Sequence, residues 1–192
     1  MEKLIVDIPH SMKFDDAGLY AFCAANRSLR VERNHTGQIV LMSPTGGFSS
    51  RLNARLIVAL YAWNEQGQAT PGEVFDSSGG FLLPSGAMRA PDAAWVSRSR
   101  WEALTEEEKE KFPPLCPDCV VEMRSPSDSL AELQAKMDEW IAAGCRLAWL
   151  IDPKAKTAWV YQPGQPVYET ASPLDGGEVL PGFVLDLAVL LA

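Results

Sequence analysis

The sequence has little of the material on which several enzyme classes depend. It contains only two histidines, His10 and His35, both in turn-like segments, which leaves a Ser-His-Asp or Cys-His mechanism little to build on. Neither a G-x-G-x-x-G nor a Walker A sequence is present. The pairs Gly46-Gly47 and Gly79-Gly80 are more simply explained as turns. The sequence therefore argues against triad hydrolases, dinucleotide-binding enzymes and P-loop enzymes.

Long apolar runs and cysteines are scarce as well. No stretch of the 192 residues approaches the ~20 apolar residues of a membrane span, and the start of the chain is too short and too acidic for a secretion signal. We therefore expect a cytoplasmic protein without a membrane partner. Four cysteines in such a chain indicate reduced thiols. Cys116 and Cys119 have the spacing of half a zinc site, but no second pair of ligands accompanies them.

Positive charge is in deficit and unevenly spread. The chain has 17 Lys and Arg against 25 Asp and Glu, a net charge of -8, which disfavours a protein that grips nucleic acid non-specifically. Up to Arg100 there are 10 basic and 9 acidic residues, and beyond it 7 basic and 16 acidic. The acidity therefore belongs to the second half, and a near-neutral face can still meet a polyanion.

Periodicity and turn residues predict alternating helices and strands. Helices are predicted over residues 14–26, 49–65 and 101–111, and from a capping box at 129–132 to Gly144. Strands are predicted over 29–33 and 38–42, as a hairpin, and over 73–84, 88–96, 118–124, 146–151 and 157–161. No repeat or linker divides the chain, so one domain is expected over 1–192. This order predicts a mixed α/β sheet flanked by helices.

Two carboxylates lie where a core strand would prefer apolar residues. Asp92 follows Pro91 near the start of an apolar strand, and Glu122 interrupts another. Alternation places Arg124 on the face of Glu122, about 6.6 Å away, and a paired neighbouring strand would bring Asp92 to within roughly 4.8 Å. Such carboxylates repel each other unless a divalent cation joins them. Mg²⁺ bound in this way favours phosphodiester hydrolysis, although a carboxylate beside an arginine is often only a salt bridge.

Six segments carry a more specific resemblance: LMSPTGG (41–47), VFDSS (74–78), PDA (91–93), VEMRSPSD (121–128), WLIDP (149–153) and LPGF (180–183). Together they resemble the Uma-two family of endonucleases, a domain family of unknown function, from about Leu29 to Leu187. That resemblance implies a restriction-endonuclease-like PD-(D/E)XK fold with an α-β-β-β-α-β core, extended here by an N-terminal helix and hairpin. It also implies a Mg²⁺- or Mn²⁺-dependent nuclease acting on nucleic acid, with DNA as the expected substrate, and a homodimer.

Site residues follow from the resemblance, position by position. Asp92 and Glu122 become metal ligands, with the backbone carbonyl of Met123 as a third. The fold usually has a lysine two residues after the glutamate, whereas this chain has Arg124, which can neutralise a phosphate but cannot act as a general base. Lys136, on the flank of the helix that follows, is the candidate to take the place of that lysine in the catalytic set.

Four further residues are candidates for the pocket. Gln134 lies on the opposite flank of the helix that carries Lys136, and Asn53 opens the first core helix, where related nucleases often place Glu or His. Glu32 and Asp76 are carboxylates on predicted strands, and either line the pocket or pair at the surface. The alternative to a nuclease is an inactive protein of the same fold that binds nucleic acid or a protein partner, with the carboxylates as structural polar groups.

Overall fold

The computed structural model describes residues 3–9, 14–66 and 71–192; His10 lies outside them. The helices of these segments are α1 (Asp16–Ala25), α2 (Gly47–Asn64), α3 (Arg98–Glu102), α4 (Glu106–Glu110), α5 (Leu130–Ala142) and α6 (Leu187–Leu190). The strands are β1 (Lys3–Val6), β2 (Arg30–Arg33), β3 (Ile39–Met42), β4 (Gly72–Asp76), β5 (Phe81–Leu82), β6 (Met88–Arg89), β7 (Ala93–Ser97), β8 (Cys119–Met123), β9 (Leu147–Asp152), β10 (Thr157–Tyr161), β11 (Tyr168–Thr170), β12 (Leu174–Asp175) and β13 (Val184–Leu185).

The main sheet has six strands in the order β11-β10-β9-β8-β7-β4. Its β8 and β9 are parallel and are joined by α5, because parallel neighbours need a crossover connection. The other neighbouring pairs of this sheet are antiparallel. The strands β8 and β9 are buried throughout, as expected of central strands that are covered on both faces.

The predicted mixed α/β architecture is confirmed, but the prediction of one sheet is wrong. The described segments form three sheets, the second in the order β1-β3-β2-β6-β5 and the third of β12 and β13. The predicted hairpin β2-β3 is present and belongs to the second sheet. The predicted strand 88–96 is divided, because Pro91 has no N–H to donate and disfavours regular pairing. The chain therefore crosses from the second sheet to the main sheet just before Asp92.

Helices α2 and α5 cover opposite faces of the main sheet. Leu52, Leu56 and Leu60 of α2 pack in one cluster with Val121 and Trp149. The sheet-facing residues of α5 pack in another cluster with the alternate strand residues: Leu133, Met137 and Trp140 against Ala94, Val120 and Leu150. Alternate residues of a strand point to opposite faces. Segment 180–187 closes the core on the α2 side, where Leu180, Phe183, Leu185 and Leu187 are buried.

Local signals set the ends of α5 as predicted. The Ser129 hydroxyl accepts a hydrogen bond from the Glu132 N–H at its start, and Gly144 has a φ of 107° just beyond its end. The predicted helix 101–111 is instead divided into α3 and α4. Thr105 causes the division, because its side chain and the Glu108 carboxylate form a capping box that begins a new helix.

Candidate active site

Asp92 lies where β7 and β8 separate. Ala93 of β7 pairs with Val121 of β8, so one further step along this antiparallel register sets Asp92 opposite Glu122. The Asp92 carboxylate accepts hydrogen bonds from the Met123 N–H at 2.7 Å and from the Asn53 side-chain amide at 2.9 Å. These two donors fix the Asp92 side chain at the end of the strand pair, beside Glu122.

Glu122 is a buried carboxylate with few compensating partners. Its side chain is about 6% exposed, and Oε1 accepts from Trp140 Nε1 at 3.0 Å and lies 2.7 Å from Lys136 Nζ. Desolvation, with repulsion from Asp92 and Glu32, outweighs the attraction of Lys136 and raises the pKa of Glu122 to about 7. The carboxyl group therefore needs further positive charge to be fully ionised at neutral pH.

Lys136 joins two carboxylates that come from different sheets. Its Nζ lies 2.7 Å from Glu122 Oε1 and 2.9 Å from Glu32 Oε1. Burial alone would lower the pKa of Lys136, but the attraction of Glu122 and Glu32 holds that pKa above its ordinary value. Lys136 is therefore a fixed ammonium ion, which supplies positive charge to the site and does not act as a base near neutral pH.

Glu32 belongs to the interior and not to the surface. Its other oxygen lies 2.9 Å from Arg89, which also pairs with Glu139 at 2.6 Å. Desolvation would raise the pKa of Glu32, but the combined attraction of Lys136 and Arg89 lowers it to about 2. The cluster is thus a chain of alternating charges, running from Glu122 through Lys136, Glu32 and Arg89 to Glu139.

The side-chain oxygen of Asn53 is buried and accepts no hydrogen bond within the described residues. Its side-chain NH₂ donates to Asp92, while within the described residues no hydrogen-bond donor reaches its Oδ1. A buried carbonyl oxygen left in this state is unfavourable by about 1 to 3 kcal/mol. A hard cation or a water at this position would remove that penalty. The oxygens of Asn53, Asp92 and Glu122 are ligands of the kind that Mg²⁺ binds, so the donor set fits the metal.

The set does not include three or more acidic, cysteine or histidine side chains. Over the described segments of the chain, no such group is gathered as a metal site. A cation here would therefore have two carboxylates from the chain and take its other oxygen ligands from an amide, a backbone carbonyl, water or substrate. This is the pattern by which Mg²⁺ is commonly bound in phosphoryl-transfer sites.

Arg124 does not join the carboxylates as alternation predicted. The strand β8 ends at Met123, so the alternation no longer applies one residue later. The Arg124 guanidinium pairs with Asp152 at 2.7 Å and donates from Nε to the Asp128 carbonyl at 3.3 Å. Among the described residues no ion pair links Arg124 to Asp92 or Glu122. It lies instead in a neighbouring cleft with Lys154.

Asp76 and Gln134 lie outside the contacts of this cluster. Asp76 is exposed at the end of β4, where its carboxylate accepts from the N–H and hydroxyl of Ser78 in a local turn. Gln134 is half-buried on α5, on the flank opposite Lys136. Neither has a hydrogen bond to Asp92 or Glu122 in the described structure.

Three residues of the cluster were missed from the sequence: Trp140, Arg89 and Glu139, the last of which pairs with Arg89. Trp140 follows Lys136 by four residues, so helical spacing places both on neighbouring positions of one face and could have indicated their common partner. Arg89 enters the cluster through Glu32, which is 57 residues away in the chain. No local pattern signals that contact.

No helix in the described parts of the chain is long and apolar enough to cross a bilayer.

Comparisons with known proteins give the family and the fold. The model of the Uma2 family, described as "Putative restriction endonuclease", matches residues 17–189. No curated protein matches the chain. The fold is similar to the crystal structure of "a putative nuclease belonging to DUF820 from Anabaena variabilis ATCC 29413", with a TM-score of 0.72 and 20% sequence identity over 84% of this chain and 91% of that chain. Because the family model spans nearly the whole sequence, the chain belongs to the Uma2 family of restriction-endonuclease-related proteins.

Proposed function

We propose that this protein is a Mg²⁺- or Mn²⁺-dependent endonuclease that hydrolyses phosphodiester bonds of nucleic acid, with DNA as the expected substrate. Asp92 and Glu122 would hold the metal, together with the Asn53 Oδ1 and the Met123 carbonyl. The order α2-β4-β7-β8-α5-β9 supports a restriction-endonuclease-like core. The observation that carries the proposal is the pair formed by buried Glu122 and Asp92 at adjacent strand positions. Burial and too little nearby positive charge raise the pKa of Glu122 to about 7.

The residues of the cluster have separable tasks. The Met123 N–H and the Asn53 amide hold the Asp92 carboxylate in place, and Trp140 and Lys136 orient Glu122. When bound, the metal supplies Lewis acidity and lowers the pKa of a water molecule. The Lys136 ammonium group lies beside the same carboxylate and stabilises negative charge that develops on the phosphate. No side chain of the cluster needs to serve as a general base.

A cleavage time course tests the proposal. Supercoiled plasmid and labelled single-stranded oligonucleotide are incubated with Mg²⁺, with Mn²⁺ and with EDTA. Wild type should cleave only with metal, and Glu122→Gln should lose about 10²- to 10³-fold in rate. The matched control is Glu169→Gln, which changes an exposed residue of β11. This variant should cleave like wild type. Undiminished cleavage by Glu122→Gln would contradict the proposal.

A second candidate function has one observation in its favour. Lys136 and Arg89 compensate the buried carboxylates from within the chain, so the cluster can also be read as a structural network of a protein that binds nucleic acid or a protein partner without cleaving. Melting curves distinguish the two. A rise in Tm with millimolar Mg²⁺ or Mn²⁺ that disappears in Asp92→Asn indicates a metal site, whereas no rise together with no cleavage favours the binding protein.

The homodimer stays a prediction of the same proposal, because closed two-fold symmetry is the commonest assembly of soluble proteins. Light scattering at micromolar concentration tests it. A particle of about 42 kDa is expected, whereas one of 21.0 kDa, the mass of a single chain, would contradict it.

A further inference from the structure

The cleft that contains Arg124 and Lys154 lies next to the end of β8. It has a volume of about 340 Å³ and is lined by Phe48 and Ser49 of α2, by Arg124 after β8, and by Asp152 and Lys154 at the end of β9. Arg124 directly follows Met123, whose N–H binds Asp92. Ser49 precedes Asn53 by one helical turn, so both lie on one face of α2. The cleft therefore lies next to the Asp92 side of the carboxylate cluster, one residue further along the chain from Met123 and one helical turn from Asn53.

The charge of this cleft is opposite to that of the chain as a whole. Arg124 and Lys154 line it, and Arg51 lies by its Phe48 ring, in a protein whose net charge is -8. Asp152, the carboxylate in its lining, and Asp128 close by are already engaged. Asp152 accepts from Arg124 and from the backbone N–H groups of Lys154 and Ala155, and Asp128 accepts from Ser125. Exposed Lys154 is left to attract an anion. The partly exposed Arg124 is paired with Asp152 through Nη1, so it would offer an anion its Nη2.

Phe48 adds an exposed aromatic ring to these cations. It is 55% exposed, and the Arg51 guanidinium lies 5.5 Å from the ring centroid. An exposed ring beside basic side chains is the arrangement on which unpaired bases stack, while the cations neutralise the backbone phosphates. A base inside a duplex has both faces covered by its neighbours and is not available to such a ring. The combination therefore favours a single-stranded segment.

We propose that this cleft binds a single-stranded nucleic acid segment next to the scissile phosphodiester, with a base stacked on Phe48 and a phosphate held by Arg124 and Lys154. The inference rests on the proposed nuclease function and specifies its substrate as unpaired or locally opened nucleic acid. Arg124 then acts in binding a flanking phosphate, while Lys136 serves the reacting one.

Binding of fluorescein-labelled oligonucleotides, measured by anisotropy in EDTA so that no cleavage occurs, tests the proposal. Single-stranded DNA, single-stranded RNA and a duplex of the same sequence are compared. Phe48→Ala should weaken single-strand binding about 5- to 100-fold, and Phe48→Trp should restore it. Tyr61→Ala, which removes an equally exposed aromatic ring from the same helix, should bind like wild type. Tighter binding of either DNA or RNA identifies the natural strand.

Salt dependence tests the phosphate contacts. Lys154→Ala should reduce the slope of log affinity against log salt by about 0.7, the value for one phosphate contact on a single strand. Lys111→Ala, at the C-cap of α4, should not change it. Arg124→Met is combined with Asp152→Asn, so that the buried Asp152 carboxylate is not left without its partner, and this double variant should reduce the slope by a similar amount.

The outcomes separate this inference from the proposed function. Single-strand binding that depends on Phe48 and Lys154, in a protein that cleaves nothing with Mg²⁺ or Mn²⁺, supports the cleft and overturns the nuclease. Cleavage and binding that are unchanged in both Phe48→Ala and Lys154→Ala overturn the cleft and leave the nuclease intact. Duplex binding that is tighter than single-strand binding would also overturn the cleft.

Discussion

A carboxylate is buried at each end of the central strands, and the two carboxylates differ in the charged groups that surround them. At one end Asp118, which is 1% exposed, accepts from the Ser97 N–H at 2.8 Å and pairs with Arg100 at 3.0 Å and Arg146 at 3.7 Å. Both arginines are partly exposed, so their charge remains hydrated. At the other end Glu122 shares one buried lysine with Glu32 and is repelled by Asp92.

Helix α2 shows the same contrast, because it runs from one end of the sheet to the other. Asn64 donates to the Gly72 carbonyl and accepts from the Gly72 N–H and from Trp95 Nε1. Asn53, three turns earlier, donates to Asp92 and accepts from nothing in the described structure. Polar groups of Asp118 and Asn64 at one end are satisfied by the chain itself, whereas at the Glu122 end the Asn53 Oδ1 has no hydrogen-bond partner among the described residues.

The largest effect should come from Lys136. Lys136→Met removes the only cation in contact with Glu122 among the described residues, so catalysis should fall about 10²- to 10³-fold, the scale for deletion of one electrostatic donor. Asp118→Asn at the opposite end should retain the wild-type kcat per folded molecule, since it lies outside the cluster. Single-turnover cleavage, corrected for the folded fraction, gives both numbers. Equal losses in the two variants would remove the distinction between the ends.

At the Asp118 end the expected effect is on stability, and the variant that shows it is Asn64→Ala. Asn64→Ala leaves three buried groups without partners, the Gly72 N–H, the Gly72 carbonyl and Trp95 Nε1. The free energy of unfolding should therefore fall by about 3 kcal/mol, at roughly 1 kcal/mol or more for each group. Urea titration followed by circular dichroism measures it. A loss below about 1 kcal/mol would show that the Asn64 end is not held as tightly as its hydrogen bonds suggest.

Sequence patterns predict what is local and periodic. The stripe and capping residue of α5 predicted its position, and with it the flank on which Lys136 lies, since helical geometry fixes both. The neighbouring positions of Asp92 and Glu122 followed from strand pairing. Alternation failed at Arg124 because it holds only within a strand, and β8 ends one residue earlier.

What the sequence leaves open depends on contacts between distant segments. Glu32 reaches Lys136 across 104 residues, and only because the second sheet lies against α5. Pro91 indicates a break in the predicted strand 88–96. The sequence does not show which sheet each half joins, because that depends on the other strands of both sheets. The role of Asn53 depends on a missing hydrogen bond, and a sequence contains no pattern for an unsatisfied atom.

A further effect concerns how the free energy of unfolding, measured without metal, depends on pH. The folded pKa of Glu122 is about 7 against an ordinary value of 4.5, so its contribution is fully present below pH 4.5 and is lost as the pH rises through 7. The free energy of unfolding in EDTA should therefore fall by roughly 3 kcal/mol between pH 4.5 and 8. Glu32 does not obscure this change, because its pKa of about 2 confines its own loss to acid solution.

Glu122→Gln supplies the control for that titration. The amide cannot ionise, so the variant should show a much flatter profile and exceed wild type in stability at pH 8. Urea titrations at pH 5, 6, 7 and 8 in EDTA give the comparison. A wild-type profile as flat as that of the variant would mean that Lys136 fully compensates the charge of Glu122.

The smallest change in stability is expected at Asn53. Asn53→Ala removes one hydrogen bond to Asp92, but it also removes the buried Oδ1 that lacks a partner. The two effects oppose each other, so the free energy of unfolding should change by less than about 1 kcal/mol. Affinity for Mn²⁺, measured by calorimetry, should nevertheless fall about 10-fold, because the cation loses an oxygen ligand and Asp92 loses the amide that orients it. If Asn53→Ala instead destabilised the protein as much as Asn64→Ala and bound Mn²⁺ like wild type, both asparagines would be structural and the two ends of the sheet would not differ in function.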